Sequence, residues 1–213
     1  MMVKLVVFDL GRVLFGICDD WTHACRCAGV ALPGKLPDAQ ARRLLEDLAH
    51  RGDTGELDFP SFARAASPLM GMTPREIKAA SDAYLTGPCP GTIALLEELR
   101  ASGIETACLS NTNDNHWRIM NDSTQAGYFP LDRLTHRFAS HLVGARKPDP
   151  AIYEHVERAT GRAGSEILFF DDLPENVEGA AKRGWRVCRI DPGPNNPEPQ
   201  IRAALKEVMN WGR

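Results

Sequence analysis

The chain has 213 residues, of which 43% are hydrophobic and 25% are charged, and its formal net charge at pH 7 is -3. This length predicts one core domain with a subdomain, and the charge balance argues against nucleic acid or an anionic membrane surface as a partner. Asp9 and Arg12 interrupt the apolar start, which is therefore not typical of a signal peptide. Because no stretch reaches the roughly 18 apolar residues of a membrane-spanning helix, we expect a cytoplasmic protein.

The first predicted element is a buried strand, VKLVVF at residues 3–8, which Asp9 follows directly. Residues 17–88 then carry three amphipathic helical patterns, LPDAQARRLLEDLAH, FPSFARAASPLM and TPREIKAASDAYL. The last of these opens with a capping box formed by Thr73 and Glu76. No strand is predicted in this region, which therefore indicates a helical insert directly after the first strand.

From residue 88 onward, short apolar strands alternate with helices. Strands are predicted at 104–110, near RFAS, at 166–170 and at 185–190. The helix PGTIALLEELRASG presents Ile93, Leu96 and Leu99 on one face, and DPAIYEHVERATG begins with Asp149 as its N-cap. PENVEGAAKRG follows the same pattern, and a Pro-rich loop at 192–200 precedes the last helix, IRAALKEVMNW.

This alternation predicts an α/β fold with a Rossmann-like parallel sheet covered on both faces. The core domain is expected to comprise residues 1–16 and 89–213, and the helical cap subdomain residues 17–88. The six cysteines include no CxxC pair and are expected to be free thiols. Cys18, Cys25 and Cys27 lie close in sequence, but without a fitting fourth ligand nearby we expect no zinc site.

Polar side chains follow the predicted strands, at the edge of an open parallel sheet where ligands bind. Taken singly, each is explained more simply as a helix cap, a turn former or an ordinary loop residue. Together they would place three carboxylates side by side, and at 4 Å each pair repels by about 4 kcal/mol. We therefore expect a lysine and a hard divalent metal among them, with Mg²⁺ suited to an oxygen-only site shared with a phosphate. The residues concerned are Asp9, Ser110, Asn111, Lys147, Asp171 and Asp172.

Four motifs, FDLGRVL, LSNT, RKPDP and FFDDLPENVEGA, occur in the order in which they occur in the haloacid dehalogenase (HAD) superfamily of hydrolases. The chain resembles that superfamily over essentially its whole length, and the helical insert stands where a C1-type cap belongs. The stretches SNTNDNHW, GARKPDPAIYEHV and RGDTGELDFPSF are similar to bacterial phosphatases that act on sugar phosphates such as glucose 1-phosphate. The DLG variant of the first motif also occurs in that group.

The resemblance implies a role for each motif. Asp9 is similar to the nucleophile that attacks phosphorus and forms an aspartyl-phosphate. Ser110 and the backbone N–H of Asn111 would bind the phosphoryl group, and Lys147 would neutralise charge on phosphate and nucleophile. Arg12 would add positive field at the same site, as would Arg146, although a surface position is the commoner one for an arginine.

The resemblance also implies a Mg²⁺ site that would offset the charge of the phosphoryl group during transfer. Its ligands would be Asp171, Asp172, one oxygen of Asp9 and the backbone carbonyl of Gly11.

Gly11 departs from the pattern of most phosphatases in this superfamily. They carry a second aspartate two residues after the nucleophile, which protonates the leaving oxygen and contributes typically 10²- to 10⁴-fold. Either another group supplies the proton or the leaving group needs little help, as in an anomeric phosphate. Asp19, Asp20 and His23, just inside the cap, are candidates, although a solvated helix start explains them more simply.

The leading interpretation is a Mg²⁺-dependent phosphate monoester hydrolase acting on a small phosphorylated metabolite, with a sugar phosphate as one option. A carbon–halogen hydrolase is an alternative, but it needs no metal and would leave Asp171 and Asp172 unexplained. A non-catalytic phosphate-binding or regulatory protein is another, with Gly11 as the change that ended turnover. A monomer and a homodimer both remain open.

Overall fold

The computed structural model describes residues 2–32, 37–191, 193 and 196–211. This part of the chain contains seven strands and ten α-helices. In chain order they are β1 (Leu5–Phe8), β2 (Phe15–Ile17), α1 (Trp21–Cys27), α2 (Ala39–Asp53), α3 (Phe59–Met70), α4 (Pro74–Ala83), β3 (Leu85–Pro88), α5 (Thr92–Ala101), β4 (Glu105–Ser110), α6 (Asp114–Asn121), β5 (His136–Ala139), α7 (Ser140–Val143), α8 (Pro150–Thr160), β6 (Ile167–Asp171), α9 (Pro174–Lys182), β7 (Arg186–Arg189) and α10 (Glu198–Met209).

Five strands form one parallel sheet in the order β5-β4-β1-β6-β7. The central strand β1 is fully buried, because its residues alternate between two apolar layers. Val6 and Phe8 point to one layer, and Leu5 and Val7 to the other. This confirms the predicted α/β fold class, a parallel sheet covered on both faces.

Helices cover both faces of this sheet. On one face lie α5 and α10, and on the other α8 and α9. The face that α5 buries differs from the prediction, since Leu95 is buried beside Leu96 and Leu99 while Ile93 is 37% exposed. The predicted N-cap of α8 is confirmed, because the Asp149 side chain accepts a hydrogen bond from the Ala151 N–H.

The four helices α1 to α4 form a separate layer with its own hydrophobic cluster, which includes Phe59, Ala63 and Ile77. The capping box of α4 is present, with Thr73 and Glu76 bonded reciprocally. The predicted start of α2 at 36 lies outside the described residues, which show the helix from Ala39 onward with Asp38 as N-cap.

The expectation that residues 17–88 contain no strand is wrong. The chain leaves and re-enters the core through an antiparallel pair, β2 with β3, in which Phe15 lies opposite Pro88. The sequences FGI and LTGP are short and contain glycine and proline, which carry little strand propensity, so only their mutual pairing makes them strands. Placing the cap at residues 17–88 remains a proposal. None of the described helices is long and apolar enough to cross a bilayer.

Candidate active site

Three carboxylates meet at the carboxyl ends of the two central strands. Asp9 follows β1, Asp171 ends β6, and Asp172 is the next residue. All three are buried, and one oxygen from each lies within 4.8 Å of the others. Because parallel strands end at the same sheet edge, residues 162 positions apart in sequence can be neighbours here (9 and 171).

Lys147 bridges two of these carboxylates. Its Nζ donates to Asp9 Oδ1 and to Asp171 Oδ2, both at 2.7 Å, and the side chain is only 1% exposed. Lys147 lies in the loop between α7 and α8, and Asn111 fixes that loop to the end of β4. The Asn111 Oδ1 accepts from the Lys147 N–H at 2.8 Å, while its Nδ2 donates to the Lys147 carbonyl at 2.9 Å.

Asp171 is held by donors on every side. Its Oδ1 accepts from the Leu173 N–H at 2.9 Å and from Asn176 Nδ2 at 3.0 Å, and Asn176 Nδ2 also reaches Oδ2 at 3.1 Å. These contacts join the end of β6 to the first turn of α9. Asn176 was not singled out from the sequence, although its place in DDLPEN, five residues after Asp171, is the signal that points to it.

The cluster has less positive than negative charge. Burial raises the pKa of Asp9 to about 7 against the opposing effect of Lys147, and Asp171 and Asp172 raise it further. Burial likewise raises the pKa of Asp172, an effect that Asp171 strengthens and Arg12 opposes. Burial alone would lower the pKa of Lys147, but its two carboxylate partners more than offset this and the pKa is raised. One buried ammonium, which contacts Asp9 and Asp171, and the Arg12 guanidinium 3.9 Å from Asp172 therefore face three carboxylates.

The donor set fits a small hard cation. Carboxylate and carbonyl oxygens are the ligands that Mg²⁺ prefers, and a dication would balance the excess negative charge. Gly11 stands at the edge of this cluster. A Cβ added there would lie 3.4 Å from Ile17 Cδ1 and 3.8 Å from Asp9 Oδ2, which are ordinary contact distances. The glycine is therefore not required by a lack of space.

A cavity of about 320 Å³ opens beside Asp9. Its core side is formed by the ends of β1, β4 and β6 and by the Lys147 loop. Its other side is mainly apolar and aromatic. These residues come from β2, from Tyr84 and the start of β3, and from α6, and Asp53 at the end of α2 completes this side. Among the residues that line it are Asp9, Gly11, Arg12, Ile17, Asp53, Tyr84, Leu85, Ser110, Asn111, His116, Met120, Arg146, Lys147 and Asp172.

Arg12 and Ser110 flank the carboxylates at the floor of this cavity. Ser110 is the last residue of β4 and is buried. Arg12 has a left-handed backbone with φ 60°, and its guanidinium lies 3.9 Å from an oxygen of Asp172. Most of the polar residues predicted for this site line the cavity, namely Asp9, Arg12, Ser110, Asn111, Arg146, Lys147 and Asp172. Asp171 is fully buried and reaches the site through its bond to Lys147. Asp19, Asp20 and His23 are not among the described residues that line the cavity.

His116 connects the core to the insert along the cavity wall. Its Nε2 lies 2.9 Å from the Ser81 Oγ and 3.0 Å from the Ser81 carbonyl, and its ring stacks on Tyr84 at 5.9 Å. Burial lowers the pKa of His116, which favours the neutral imidazole. Asn113 caps the helix that carries His116 by accepting its N–H.

A second contact, an ion pair, joins the insert to the loop that carries Lys147. Asp53, the last residue of α2, lies 3.3 Å from Arg146, which precedes Lys147. Burial raises the pKa of Asp53, and Arg146 and His50 oppose the shift. Neither Asp53 nor Tyr84 was singled out from the sequence, because nothing in a helical pattern shows which of its polar residues will face a cavity.

A family model described as haloacid dehalogenase-like hydrolase matches residues 36–184, which is well over half of the chain. The chain belongs to the haloacid dehalogenase-like hydrolases. It is therefore an enzyme of the HAD family, as the motifs indicated.

Both phosphatases and dehalogenases occur among similar proteins of the HAD family. Phosphatase MT3486 of Mycobacterium tuberculosis is 32% identical over 48% of this chain, a match that spans 46% of that protein. The phosphoglycolate phosphatase of Thiobacillus denitrificans is 24% identical over 97% of this chain and 91% of its own length. Haloacetate dehalogenase H-2 of a Moraxella species is 32% identical over 49% of this chain and 45% of its own length.

Solved structures share the HAD fold. A HAD-like hydrolase from Porphyromonas gingivalis has a TM-score of 0.78 at 23% identity, covering 97% of this chain and 99% of its own. The HAD family enzyme bt-2542 from Bacteroides thetaiotaomicron, in complex with magnesium and inorganic phosphate, has a TM-score of 0.71 at 22% identity, covering 90% and 96%. L-2-haloacid dehalogenase from Xanthobacter autotrophicus has a TM-score of 0.62 at 24% identity, covering 98% and 84%.

Proposed function

We propose that this HAD hydrolase is a Mg²⁺-dependent phosphate monoester hydrolase acting on a small phosphorylated metabolite. The observation that carries the proposal is the charge deficit of three buried carboxylates around one lysine, beside a cavity. A dianionic phosphate could enter such a site only with a cation. Relatives that are named phosphatases, and a similar fold solved with magnesium and phosphate, support the assignment.

Asp9 would be the nucleophile. Lys147 holds its Oδ1, while Oδ2 lies on the Gly11 side of the carboxylate and is the atom that would attack phosphorus. The new bond joins Oδ2 to phosphorus as the bond from phosphorus to the alcohol oxygen breaks, and that oxygen takes its proton from solvent water, since Gly11 offers no acid. Water then attacks phosphorus, releases phosphate and restores Asp9, so that one difficult step becomes two.

The remaining site residues would bind and orient the phosphoryl group. Ser110 Oγ and the Asn111 N–H would donate to its oxygens, and Lys147 and Arg12 would offset its charge. Asp9, Asp171 and Asp172, with the Gly11 carbonyl, would hold Mg²⁺, which supplies charge neutralisation when bound.

We also propose that residues 17–88 form a C1-type cap over a core of residues 1–16 and 89–213. The cap helices would exclude water from the cavity and supply its leaving-group wall. The β2–β3 pair, where the chain passes between the two parts, is the natural place for movement of one relative to the other.

Hydrolysis of p-nitrophenyl phosphate with Mg²⁺ tests the proposal. Asp9→Asn keeps the size of the side chain but removes the nucleophile, and we expect the rate to fall about 10⁴-fold or more. EDTA should abolish the same activity. Asp47→Asn, at an exposed acid of α2, is the matched control and should retain the wild-type rate. Activity that survives Asp9→Asn or EDTA would remove the mechanism.

Two alternative functions have distinct signatures. Chloride release from 2-chloropropionate in the presence of EDTA would favour a dehalogenase, since that chemistry needs no metal. Tight Mg²⁺-dependent capture of beryllofluoride, with no hydrolysis across a broad panel of phosphate esters, would favour a non-catalytic phosphate-binding protein.

A further inference from the structure

With the phosphoryl end of the cavity assigned, the rest of its wall must contact the leaving group. This part carries Ile17, Tyr84 and Leu85, which present apolar and aromatic surface. Within the described residues, the charged side chains on this part of the wall are Asp53 and Arg146. These two side chains therefore determine which charge on a leaving group the site favours.

The positive charge of Arg146 is already matched. Its guanidinium lies 3.3 Å from Asp53 Oδ2, and neither side chain is more than about one third exposed, at 33% and 21%. A leaving group with its own carboxylate would have to compete with Asp53 for this arginine and would be repelled by it. A hydroxyl group, in contrast, can donate to the Asp53 carboxylate without breaking the pair.

Asp53 is also held in place by the backbone. The turn after α2 packs directly on α7, so closely that a Cβ at Gly55 would lie 2.2 Å from the His141 carbonyl oxygen. Gly55 has φ 76°, which favours glycine in any case. The carboxylate therefore occupies a fixed position in the wall rather than the end of a mobile loop.

We propose that Asp53 sets the charge selectivity of this site, admitting uncharged, hydroxyl-bearing leaving groups and rejecting those that carry a carboxylate or a second phosphate. This inference rests on the proposed phosphatase function, which it deepens. Asp53 acts by contact with the leaving group, and Arg146 positions Asp53.

Two phosphate esters of nearly equal size provide the test, 2-hydroxyethyl phosphate and 2-phosphoglycolate, which differ only in a hydroxymethyl group against a carboxylate. The wild-type enzyme should have a kcat/KM about tenfold or more higher for 2-hydroxyethyl phosphate, whose leaving group is uncharged. This is the effect expected of one uncompensated contact between the substrate carboxylate and Asp53. Asp53→Asn frees Arg146 and should abolish or reverse the preference. Asp47→Asn, on the same helix, should leave it unchanged.

A reciprocal variant separates charge from structure. Arg146→Gln leaves Asp53 without its cation and should increase the preference for 2-hydroxyethyl phosphate, the opposite of the Asp53→Asn effect. A wild-type preference for 2-phosphoglycolate, or an equal loss for both esters in Asp53→Asn, would overturn the selectivity role while leaving Asp9-dependent hydrolysis intact. Absence of any Mg²⁺-dependent ester hydrolysis would remove the proposed function and this inference together.

A second cluster of metal-binding side chains lies away from the cavity. Cys18, His23 and Cys27 each offer one donor atom, and these atoms lie within 4.8 Å of one another. His23 and Cys27 are one turn apart on α1 and so face the same side. Cys25, the other cysteine of this stretch, is instead buried in the apolar cluster of the insert.

The surroundings of this cluster are negative. Two acidic residues, Asp19 and Asp20, stand directly before α1, and Asp20 is its N-cap. A dication would find these groups favourable. Asp19 Oδ2 lies 3.4 Å from His23 Nδ1 and is largely exposed, so it or a water can complete a tetrahedron.

We infer that Cys18, His23 and Cys27 bind Zn²⁺, with Asp19 or water as the fourth ligand. The Cys18 N–H donates to the Tyr84 carbonyl at the start of β3, so bound metal would brace the connection between insert and core.

Co²⁺ titration of the reduced protein in excess Mg²⁺ tests this site. A near-ultraviolet cobalt–thiolate band should rise to one equivalent in the wild type and be lost, or need about tenfold more Co²⁺, in Cys27→Ser. Cys89→Ser, at a half-buried free thiol elsewhere, should match the wild type. A reduced protein without the band, or a band that Cys27→Ser leaves unchanged, would contradict the inference.

Discussion

At the scale of single residues, Lys147 is the centre of the site. It is one buried cation between Asp9 and Asp171, and its side chain is only 1% exposed. Removing one member of a buried charge cluster leaves the others uncompensated, which costs more than the pair itself contributes. The residue therefore matters for stability as well as for the phosphate binding that we propose.

We predict that Lys147→Met lowers the free energy of unfolding by about 3–5 kcal/mol in EDTA, because two buried carboxylates lose their shared cation. The loss should be smaller in saturating Mg²⁺, which replaces part of the missing charge. Urea unfolding with and without Mg²⁺ measures both values. Lys182→Met, at an exposed i,i+4 pair with Glu178, should change stability by no more than about 0.5 kcal/mol. Equal losses in EDTA and Mg²⁺ would contradict the account.

The raised pKa of Asp9 predicts a pH dependence of stability in the metal-free protein. Burial favours the protonated carboxyl in the folded state, with pKa about 7 against 3.8 for the ordinary group. Its stabilising effect is complete below 3.8 and is lost as the pH rises through 7. Asp9→Asn should thus gain about 2 kcal/mol relative to wild type between about pH 5 and pH 7. Urea unfolding in EDTA that shows a constant difference would disprove the shift.

At the scale of elements, the sequence predicts those strands and helices that local residue patterns determine. VVF before Asp9 and ILFF before Asp171 are continuous apolar runs of the kind that only a doubly covered sheet buries, and Asp149 with Pro150 is a strong helix start. The β2–β3 pair could not be found in this way, because FGI and LTGP become strands only through each other. The contact of Gly55 with α7 cannot be predicted from the local sequence either, since it depends on how two distant elements pack.

We predict that Gly55→Ala destabilises the protein by about 2–3 kcal/mol and reduces activity, because the added methyl would overlap the His141 carbonyl and displace the turn that carries Asp53. Gly29→Ala is the matched control. Gly29 also has a left-handed backbone, with φ 64°, but nothing lies within 4 Å of an added Cβ, so only backbone strain of about 1 kcal/mol is expected. Thermal unfolding and p-nitrophenyl phosphate turnover measure both effects. Equal destabilisation by the two substitutions would show that the overlap is relieved without cost.

At the scale of the whole molecule, the position of the site follows from the order and direction of the strands in the sheet. The rules of parallel sheets were enough to expect Asp9, Asp171 and Asp172 at one edge, because the carboxyl ends of parallel strands lie together. Lys147 reaches the same edge from the loop after α7, which Asn111 fixes to the end of β4. The leaving-group wall was not predictable, since Asp53 and Tyr84 come from the insert. Their position depends on how the helical layer rests on the sheet, and no period in the sequence encodes that docking.

Mg²⁺ should stabilise the entire fold, because it binds only when both central strands are in place. At 100 times its dissociation constant the gain is about 2.7 kcal/mol, which raises Tm by about 5–10 °C for a chain of this size. Asp172→Asn should remove most of this rise. Asp132→Asn, at an exposed acid far from the cluster, should preserve it. A Tm that does not respond to Mg²⁺ in the wild type would exclude the site.

The place of β1 in the sheet has a consequence for how the protein is made. This strand is synthesised well before its neighbours, since β4 begins 100 residues after it (5 to 105) and β6 begins 162 residues after it (5 to 167). The nascent chain must therefore keep its most apolar segment unpaired while the helical layer is completed, which exposes it to aggregation and favours assistance by a chaperone. Expression at reduced temperature should accordingly increase the soluble yield more for this protein than for one whose first strand lies at a sheet edge.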